Sequence, residues 1–196
     1  MFLISGGRLP TRGSKEAMGY DVYPRAIVDV ACFDEKLFYT RKSLFDFTEP
    51  EKSHPFYSRI VEASLPNIGV SWGYRLEPGE IIHVGIGFVA ELPNDRIYTV
   101  RSRSGLASRH GLIVLNCDIP VDSDYRAEAN AMLTVLHGYP HLVIHSSMRI
   151  AQIVFERRYA PRLTIVNSFE DIGRTKRGQN GFGSTGLFDS SSPLPP

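Results

Sequence analysis

What most constrains this chain is a recurrence of short β-prone runs cut by turn residues. Residues 80–90, 96–100, 112–115, 131–136 and 150–155 are rich in Val, Ile, Leu, Tyr and Phe, with Gly, Pro or Asn between them. Branched and aromatic side chains fit a pleated, half-buried surface, and runs this short pack as a sandwich or barrel. Pro78-Gly79 and Pro93-Asn94-Asp95 supply reversals, because Pro presets φ while Gly and Asn tolerate positive φ. In this half only residues 104–110 look helical, a turn or two closed by Gly111. The fold expected is all-β.

A chain of 196 residues fits one domain with a proper core, or a domain carrying a large insertion. Its 22 Lys and Arg against 21 Asp and Glu leave a formal charge of +1, so no global field recruits nucleic acid or an anionic membrane, and any anion site must be local. Cys32 and Cys117 are far apart with no CxxC pairing, which argues against a disulfide scaffold or a thiolate zinc site and for a reducing compartment. The apolar start is too short for a signal-peptide core, and no stretch approaches the roughly 20 apolar residues that span a bilayer. A soluble, intracellular protein is expected.

Residues from 30 to about 74 differ in character, mixing Phe33, Phe38, Tyr39, Phe45, Phe47, Phe56, Tyr57 and Trp72 with many charges and with Pro50, Pro55 and Pro66. They read as an insertion, within which residues 57–65 predict a short amphipathic helix ending before Pro66. From Gly173 onward the chain is rich in Gly, Ser and Pro, as expected of a mobile arm with no core of its own.

Chemistry concentrates in a few places. Asp122-Ser-Asp-Tyr-Arg126 follows the apolar run at 112–115. Alternation along an extended hairpin puts Asp122 and Asp124 on one face and Tyr125 on the other, leaving a carboxylate to act as a base; a solvated acidic turn uses the same residues for local hydrogen bonds. In Arg101-Ser-Arg-Ser-Gly-Leu106 a strand passes into a helical turn, so guanidinium groups, backbone N–H groups and the Ser104 hydroxyl converge on a volume suited to phosphate, or else form a capped helix with exposed arginines. In Arg177-Gly-Gln-Asn-Gly-Phe-Gly-Ser-Thr-Gly186 four glycines allow close backbone approach. It lacks the Lys, preceding strand and following helix of a P-loop, and its alternative is a flexible linker. Phe182, lone among those glycines, has a flat face that covers a base. His137, His141 and His145 have helical spacing, but Gly138 and Pro140 interrupt any helix there, so zinc is not implied.

Several of these segments, in this order, resemble the trimeric dUTP diphosphatase (dUTPase) family, with an insertion between its first and second motifs. They are Ala17-Met-Gly-Tyr-Asp-Val22, Arg103-Ser-Gly-Leu-Ala107, Asn116 through Arg126, Arg149-Ile-Ala-Gln-Ile153 and residues 177–186, with Arg8-Leu-Pro-Thr-Arg12 at the start. The resemblance implies a distorted jelly-roll β-barrel over residues 1–172, a C-terminal arm over 173–196 carrying the Gly-rich motif, and a homotrimer whose sites are each built from all three subunits. It implies Mg²⁺-dependent hydrolysis of dUTP to dUMP and pyrophosphate, limiting dUTP and supplying dUMP for dTTP synthesis. The cytoplasm is the implied location, the host's if the chain is phage-encoded.

By the same resemblance Asp122 activates a water that attacks the α-phosphorus, a role suited to a carboxylate that accepts a proton and orients the water in line. Arg103, Ser104 and Gly105 hold phosphate oxygens, Gln152 contacts the phosphate chain, and Asp21 acts through water on Mg²⁺, which the triphosphate mainly holds. Tyr125 lies under the deoxyribose and excludes a 2′-hydroxyl. Asn116 and the hairpin backbone read uracil. Phe182, next to Gly183, stacks on the base while Arg177, Ser184 and Thr185 clamp the terminal phosphates.

The chain departs from the family pattern in places. Ile119 and Pro120 stand where the hairpin usually has Gly three residues after the Asn, which removes a backbone N–H and opens the question of base selectivity. Ala127 replaces a Gly, Ser147-Met148 replaces Gly-Asp, and Asn180 replaces a Gly at a position where Asn tolerates positive φ. The insertion implies an added surface, a trimer contact or a protein partner. The alternatives are a related dCTP deaminase, against which Asp122-Ser-Asp-Tyr125 argues, an altered-specificity dNTP pyrophosphatase, and a regulatory binding protein on the same fold.

Overall fold

Tight reversals favour antiparallel neighbours, because a two-to-five-residue turn can only return the chain beside itself. A computed structural model describes residues 2–34, 39–49, 57–65 and 69–180. The chain divides into two units, Met1–Tyr159 and Ala160–Pro196. In the first, the strands are β1 (Phe2–Leu3), β2 (Thr11–Arg12), β3 (Tyr20–Val22), β4 (Ala26–Phe33), β5 (Arg41–Asp46), β6 (Ile60–Leu65), β7 (Gly69–Leu76), β8 (Ile81–Gly85), β9 (Phe88–Val89), β10 (Arg96–Arg101), β11 (Leu112–Val114), β12 (Asn130–Val135), β13 (Leu142–His145) and β14 (Ala151–Arg157); a helix, α1 (Ser104–His110), separates β10 from β11. Among the described residues no helix is long and apolar enough to cross a membrane.

The strands form a distorted jelly-roll β-barrel. Its sheets run β11-β12-β8-β4-β5, β10-β14-β3-β2, β13-β7-β6 and β1-β9. Period-two alternation turns Ile82 and Val84 of β8, Ala131, Leu133 and Val135 of β12, and Ala151 and Ile153 of β14 into one core, which also holds Phe45, Leu76, Phe88 and Tyr98. As the sequence predicts, α1 is short and Gly111 closes it: Gly111 has φ 64° and donates its N–H to the Ala107 carbonyl at 3.1 Å.

Residues 57–65, for which the sequence predicts a helix, fold otherwise. Tyr57–Arg59 makes one 3₁₀ turn, and β6 pairs antiparallel with β7 from Ile60 opposite Tyr74 to Leu65 opposite Gly69. A partner strand four residues downstream satisfies the backbone groups a lone short helix would leave frayed, and Pro66 ends a strand as readily as a helix. The hairpin is fastened at its base, where the Glu80 carboxylate accepts the Tyr74 hydroxyl at 2.6 Å, an Arg59 guanidinium N–H at 3.0 Å and the Glu77 N–H at 3.0 Å. The region read as an insertion thus supplies ordered strands, with β5 and β6 each ending a sheet.

Candidate functional site

The segment joining β11 to β12 is held at nearly every point. Asn116 places its side-chain amide where main-chain pairing stops: its Nδ2 donates to the Asn130 carbonyl at 3.1 Å and its Oδ1 accepts the Met132 N–H at 2.9 Å. Asp118 is the one non-glycine with positive φ among the described residues, at 66°, and its carboxylate lies 3.3 Å from Arg101 Nε. Val121 exchanges both main-chain bonds with Tyr98, at 2.8 and 3.3 Å. The far end is anchored by Glu128, whose carboxylate takes two bonds from the buried Arg25, at 2.7 and 2.6 Å, and the Gly87 N–H at 2.9 Å. Burial alone would lower the Arg25 pKa; Glu128, together with Asp46 and Asp34, outweighs it, so the guanidinium stays firmly charged.

Between these anchors, residues 122–125 are a turn rather than extended chain. The Tyr125 N–H reaches the Asp122 carbonyl at 3.2 Å, and Arg126 donates to the carbonyls of Ser123 and Tyr125 at 2.6 and 3.2 Å. The alternation expected for Asp122, Asp124 and Tyr125 is therefore absent, because period two holds only while the backbone stays extended. Asp122, Asp124 and Tyr125 instead line one cavity of about 450 Å³, together with Tyr98, Asn116 and Pro120. Burial, with a smaller contribution from Tyr125, holds the Tyr98 phenol well above its usual pKa.

A second cluster forms where β3, β14 and β10 lie side by side. Register puts Asp21 opposite Gln152 and Gln152 opposite Arg101, one row across three strands. Asp21 is buried, and its two carboxylate oxygens meet Arg103 Nε at 2.8 Å and an Arg149 guanidinium nitrogen at 3.1 Å. Arg103 also donates to the Arg149 carbonyl at 2.9 Å, and Gln152 donates to the Ser102 carbonyl at 3.2 Å. Gly19 makes room for Gln152, since a Cβ there would fall 2.5 Å from its Oε1. Ser104 and Gly105 open α1 and are exposed, with nothing within 4 Å of where a Gly105 Cβ would stand.

The two arginines expected to converge part company: Arg103 turns to Asp21, while Arg101 pairs with Glu156 at 2.6 Å and with Asp118. Arg101 ends β10 and Arg103 caps α1, and the passage between them carries the two to different acidic partners. Arg149, to which the sequence assigns no role, completes the cation pair around Asp21; its place at the mouth of a strand facing β3 is set by pairing that sequence does not reveal. Tyr98 is likewise unheralded, an aromatic in a strand that looks like ordinary core.

For metal chemistry, the second cluster offers a single carboxylate flanked by two guanidinium groups. Each Asp21 oxygen keeps a further lone pair, enough for a metal-bound water. That donor set fits a cation arriving with its own anionic ligands. In the second unit, Arg177 Nε donates to the Asn180 carbonyl at 2.9 Å, closing a local turn, and Gly178 donates to the Thr175 carbonyl at 3.2 Å. Phe182, Gly183, Ser184 and Thr185 lie outside the described residues.

A β-barrel of this topology, with an Asp-x-x-Tyr turn lining a cavity and an arginine-rich cluster at a strand-to-helix passage, matches the dUTPase family profile over residues 68–186. The chain belongs to the dUTPase family. It is 36% identical over 147 residues, 74% of this chain and 96% of the other, to the deoxyuridine 5′-triphosphate nucleotidohydrolase of Orientia tsutsugamushi strain Boryong. It is 41% identical over 112 residues, 57% of this chain and 72% of the other, to that of Desulfotalea psychrophila. Among solved structures, the fold is shared with the Staphylococcus bacteriophage 80alpha dUTPase with dUpNHpp, at a TM-score of 0.63 and 20% identity, covering 95% of this chain and 96% of that one. It is shared also with a mutant dUTPase of S. aureus phage phi11, described with a structural Mg(II) ion, at a TM-score of 0.55 and 17% identity, covering 87% and 96%.

Proposed function

We propose that this chain hydrolyses dUTP to dUMP and pyrophosphate, limiting dUTP and supplying dUMP, with Asp122 as the base. The observation that carries the assignment of the base is the cavity that Asp122 and Tyr125 of the pinned turn line together with Asn116. A carboxylate so held accepts a proton from water and aims it at the α-phosphorus, and Tyr125 forms the wall against which the deoxyribose lies, leaving no room for a 2′-hydroxyl. Asn116, its amide already bonded to β12, fixes the hairpin and presents its remaining donor and acceptor capacity to uracil. Arg103, Ser104, Gly105 and Gln152 bind the phosphate chain, which the excess positive charge around Asp21 favours. Asp21 would hold Mg²⁺ through water; when bound, the ion neutralises phosphate charge and polarises the reacting phosphoryl group. Arg177, Phe182, Gly183, Ser184 and Thr185 are assigned to closing over the nucleotide.

The active form proposed is a homotrimer with shared sites. Two features support it: the cavity and the arginine cluster are lined by separate sets of residues within one chain, and the second unit carries Leu163 and Ile165 at 90% and 95% exposure. Exposed Phe33 and Trp72 support an added contact, to a subunit or a protein partner, from the 30–74 region. The location that fits this chemistry is the cytoplasm. In Asp122→Asn, turnover of dUTP should fall by about 10²- to 10⁴-fold while affinity for a non-hydrolysable analogue stays within threefold of wild type. Unimpaired turnover would sink the assigned base, and dCTP consumed in preference to dUTP would overturn the substrate.

A further inference from the structure

Arg101 ends the row that runs from Asp21 through Gln152, and the proposed chemistry makes no use of it. Its guanidinium is held by β10 and β14: Nε donates to the Thr99 hydroxyl at 2.9 Å and Nη2 to the Glu156 carboxylate at 2.6 Å. With the head group so fixed, an Asp118 carboxylate oxygen stands 3.3 Å from Nε. Asp118 lies at the tip of the turn after β11, where the Ile119 N–H reaches the Asn116 carbonyl at 3.3 Å. The stem of this turn is tied to its neighbours, since the Val114 N–H donates to the Ser102 hydroxyl at 2.9 Å and Asn116 bonds β12. Among the described residues, the tip at 117–119 has one polar tie outside residues 114–119, and it is to Arg101. Pro120, with no N–H of its own, cannot fasten the chain just beyond.

Positive φ at the third position of a four-residue turn favours glycine, because a Cβ crowds the backbone there. Asp118 stands at that position with φ 66°. Aspartate tolerates this conformation, but glycine would take it with no side-chain cost; what the carboxylate adds is the pair with Arg101. The Asp118 N–H and the Cys117 carbonyl make no hydrogen bond among the described residues, so the tip carries one main-chain donor and one acceptor that a base edge can use.

We propose that Arg101 is a positioning residue for base selection, acting through Asp118 to hold the 116–119 turn in place for the nucleoside. This rests on reading the hairpin as the element that meets the base. Uracil offers a ring N–H beside a carbonyl oxygen, and cytosine offers a bare ring nitrogen beside an amino group, so the two reverse the order of donor and acceptor. A turn that keeps its place pairs one order and leaves the other unsatisfied; a turn that shifts accepts both poorly.

Arg101→Gln, Asp118→Asn, Asp118→Gly and the double variant Arg101→Gln with Asp118→Asn are compared with wild type in ligand-free thermal unfolding and in kcat/KM for dUTP and for dCTP. The ratio of kcat/KM for dUTP to that for dCTP should fall about fivefold in each single variant, equivalent to about 1 kcal/mol, the upper end for a part-exposed ion pair. It should fall no further in the double variant, since one pair can be lost only once. Asp118→Gly should unfold at about the wild-type temperature, the relief at positive φ offsetting the freer unfolded chain. A merely structural pair gives the reverse pattern, a lower unfolding temperature with an unchanged ratio; that result, or additive losses in the double variant, overturns the proposal. If wild type does not prefer dUTP to dCTP, the reading of the hairpin fails and this proposal with it; if wild type is selective and the single variants stay as selective, only the Arg101 assignment fails.

Discussion

Replacing Glu128 by alanine should cost far more stability than a surface acid would. The Glu128 and Arg25 side chains are 1% and 6% exposed and meet through two bonds, at 2.7 and 2.6 Å. Without the carboxylate, the guanidinium stays buried with Ser43 Oγ at 3.2 Å and an Asp46 oxygen at 4.0 Å, and the Gly87 N–H loses its acceptor. Stranding one partner of a buried pair costs about 3–5 kcal/mol, and an unsatisfied N–H about 1–3 kcal/mol. Asp46 and Ser43 offset part of this, so a loss of about 4 kcal/mol is expected, a large share of a typical net stability of about 5–15 kcal/mol. The double change Arg25→Met with Glu128→Leu should recover most of it, because neither charge then needs solvation. Urea titrations at one fixed protein concentration measure both. A loss below about 1 kcal/mol for Glu128→Ala, or a double variant as unstable as the single, would refute the reasoning.

Two other outcomes follow from the geometry. Asn116→Ala removes both side-chain bonds to β12 and leaves the Met132 N–H unpaired; a loss of about 1–3 kcal/mol in urea titration is expected, with KM for dUTP rising more than kcat falls. His145 is buried with Nδ1 unpartnered among the described residues, and burial, opposed by a backbone bond at Trp72, lowers its pKa below the ordinary 6.5. The unfolded chain then binds a proton that the folded one resists, so stability is full above about pH 6.5 and falls as pH drops toward the folded pKa. Urea midpoints at about pH 5.5 and 7.5 should converge in His145→Gln; an undiminished pH dependence in that variant would assign the effect elsewhere.

How much of this was legible beforehand depended on how local the cause was. The runs at 96–100 and 131–136 match β10 and β12 to within a residue, the run at 80–90 breaks at Gly87 into β8 and β9, and Gly111 closes α1, because alternation and a left-handed cap are properties of a few adjacent residues. Residues 57–65 misled, since apolar spacing over so short a run fits either period and only the presence of β7 decides between them. The face of Tyr125 was misjudged for a similar reason: the Asp122 carbonyl and the Arg126 guanidinium bend the chain where alternation presumes it straight. Arg149 and Tyr98 lay beyond reach, as their partners Asp21 and Val121 become neighbours only through long-range pairing. The Asp122 turn and the Arg103 segment were visible as chemistry; that Asp21 sits between two arginines was not.

The placement of β5 and β6 at sheet rims bears on where the fold opens first. A strand at a rim is held by one row of hydrogen bonds, so parting β5 from β4 or β6 from β7 breaks neither the Asn116 hairpin nor the row through Asp21 and Gln152. Every strand inside a sheet is held by two such rows, as β14 is by β10 and β3 and β12 is by β11 and β8. Fraying is expected to start at such margins and to cost little there, while the interior opens only with the whole fold.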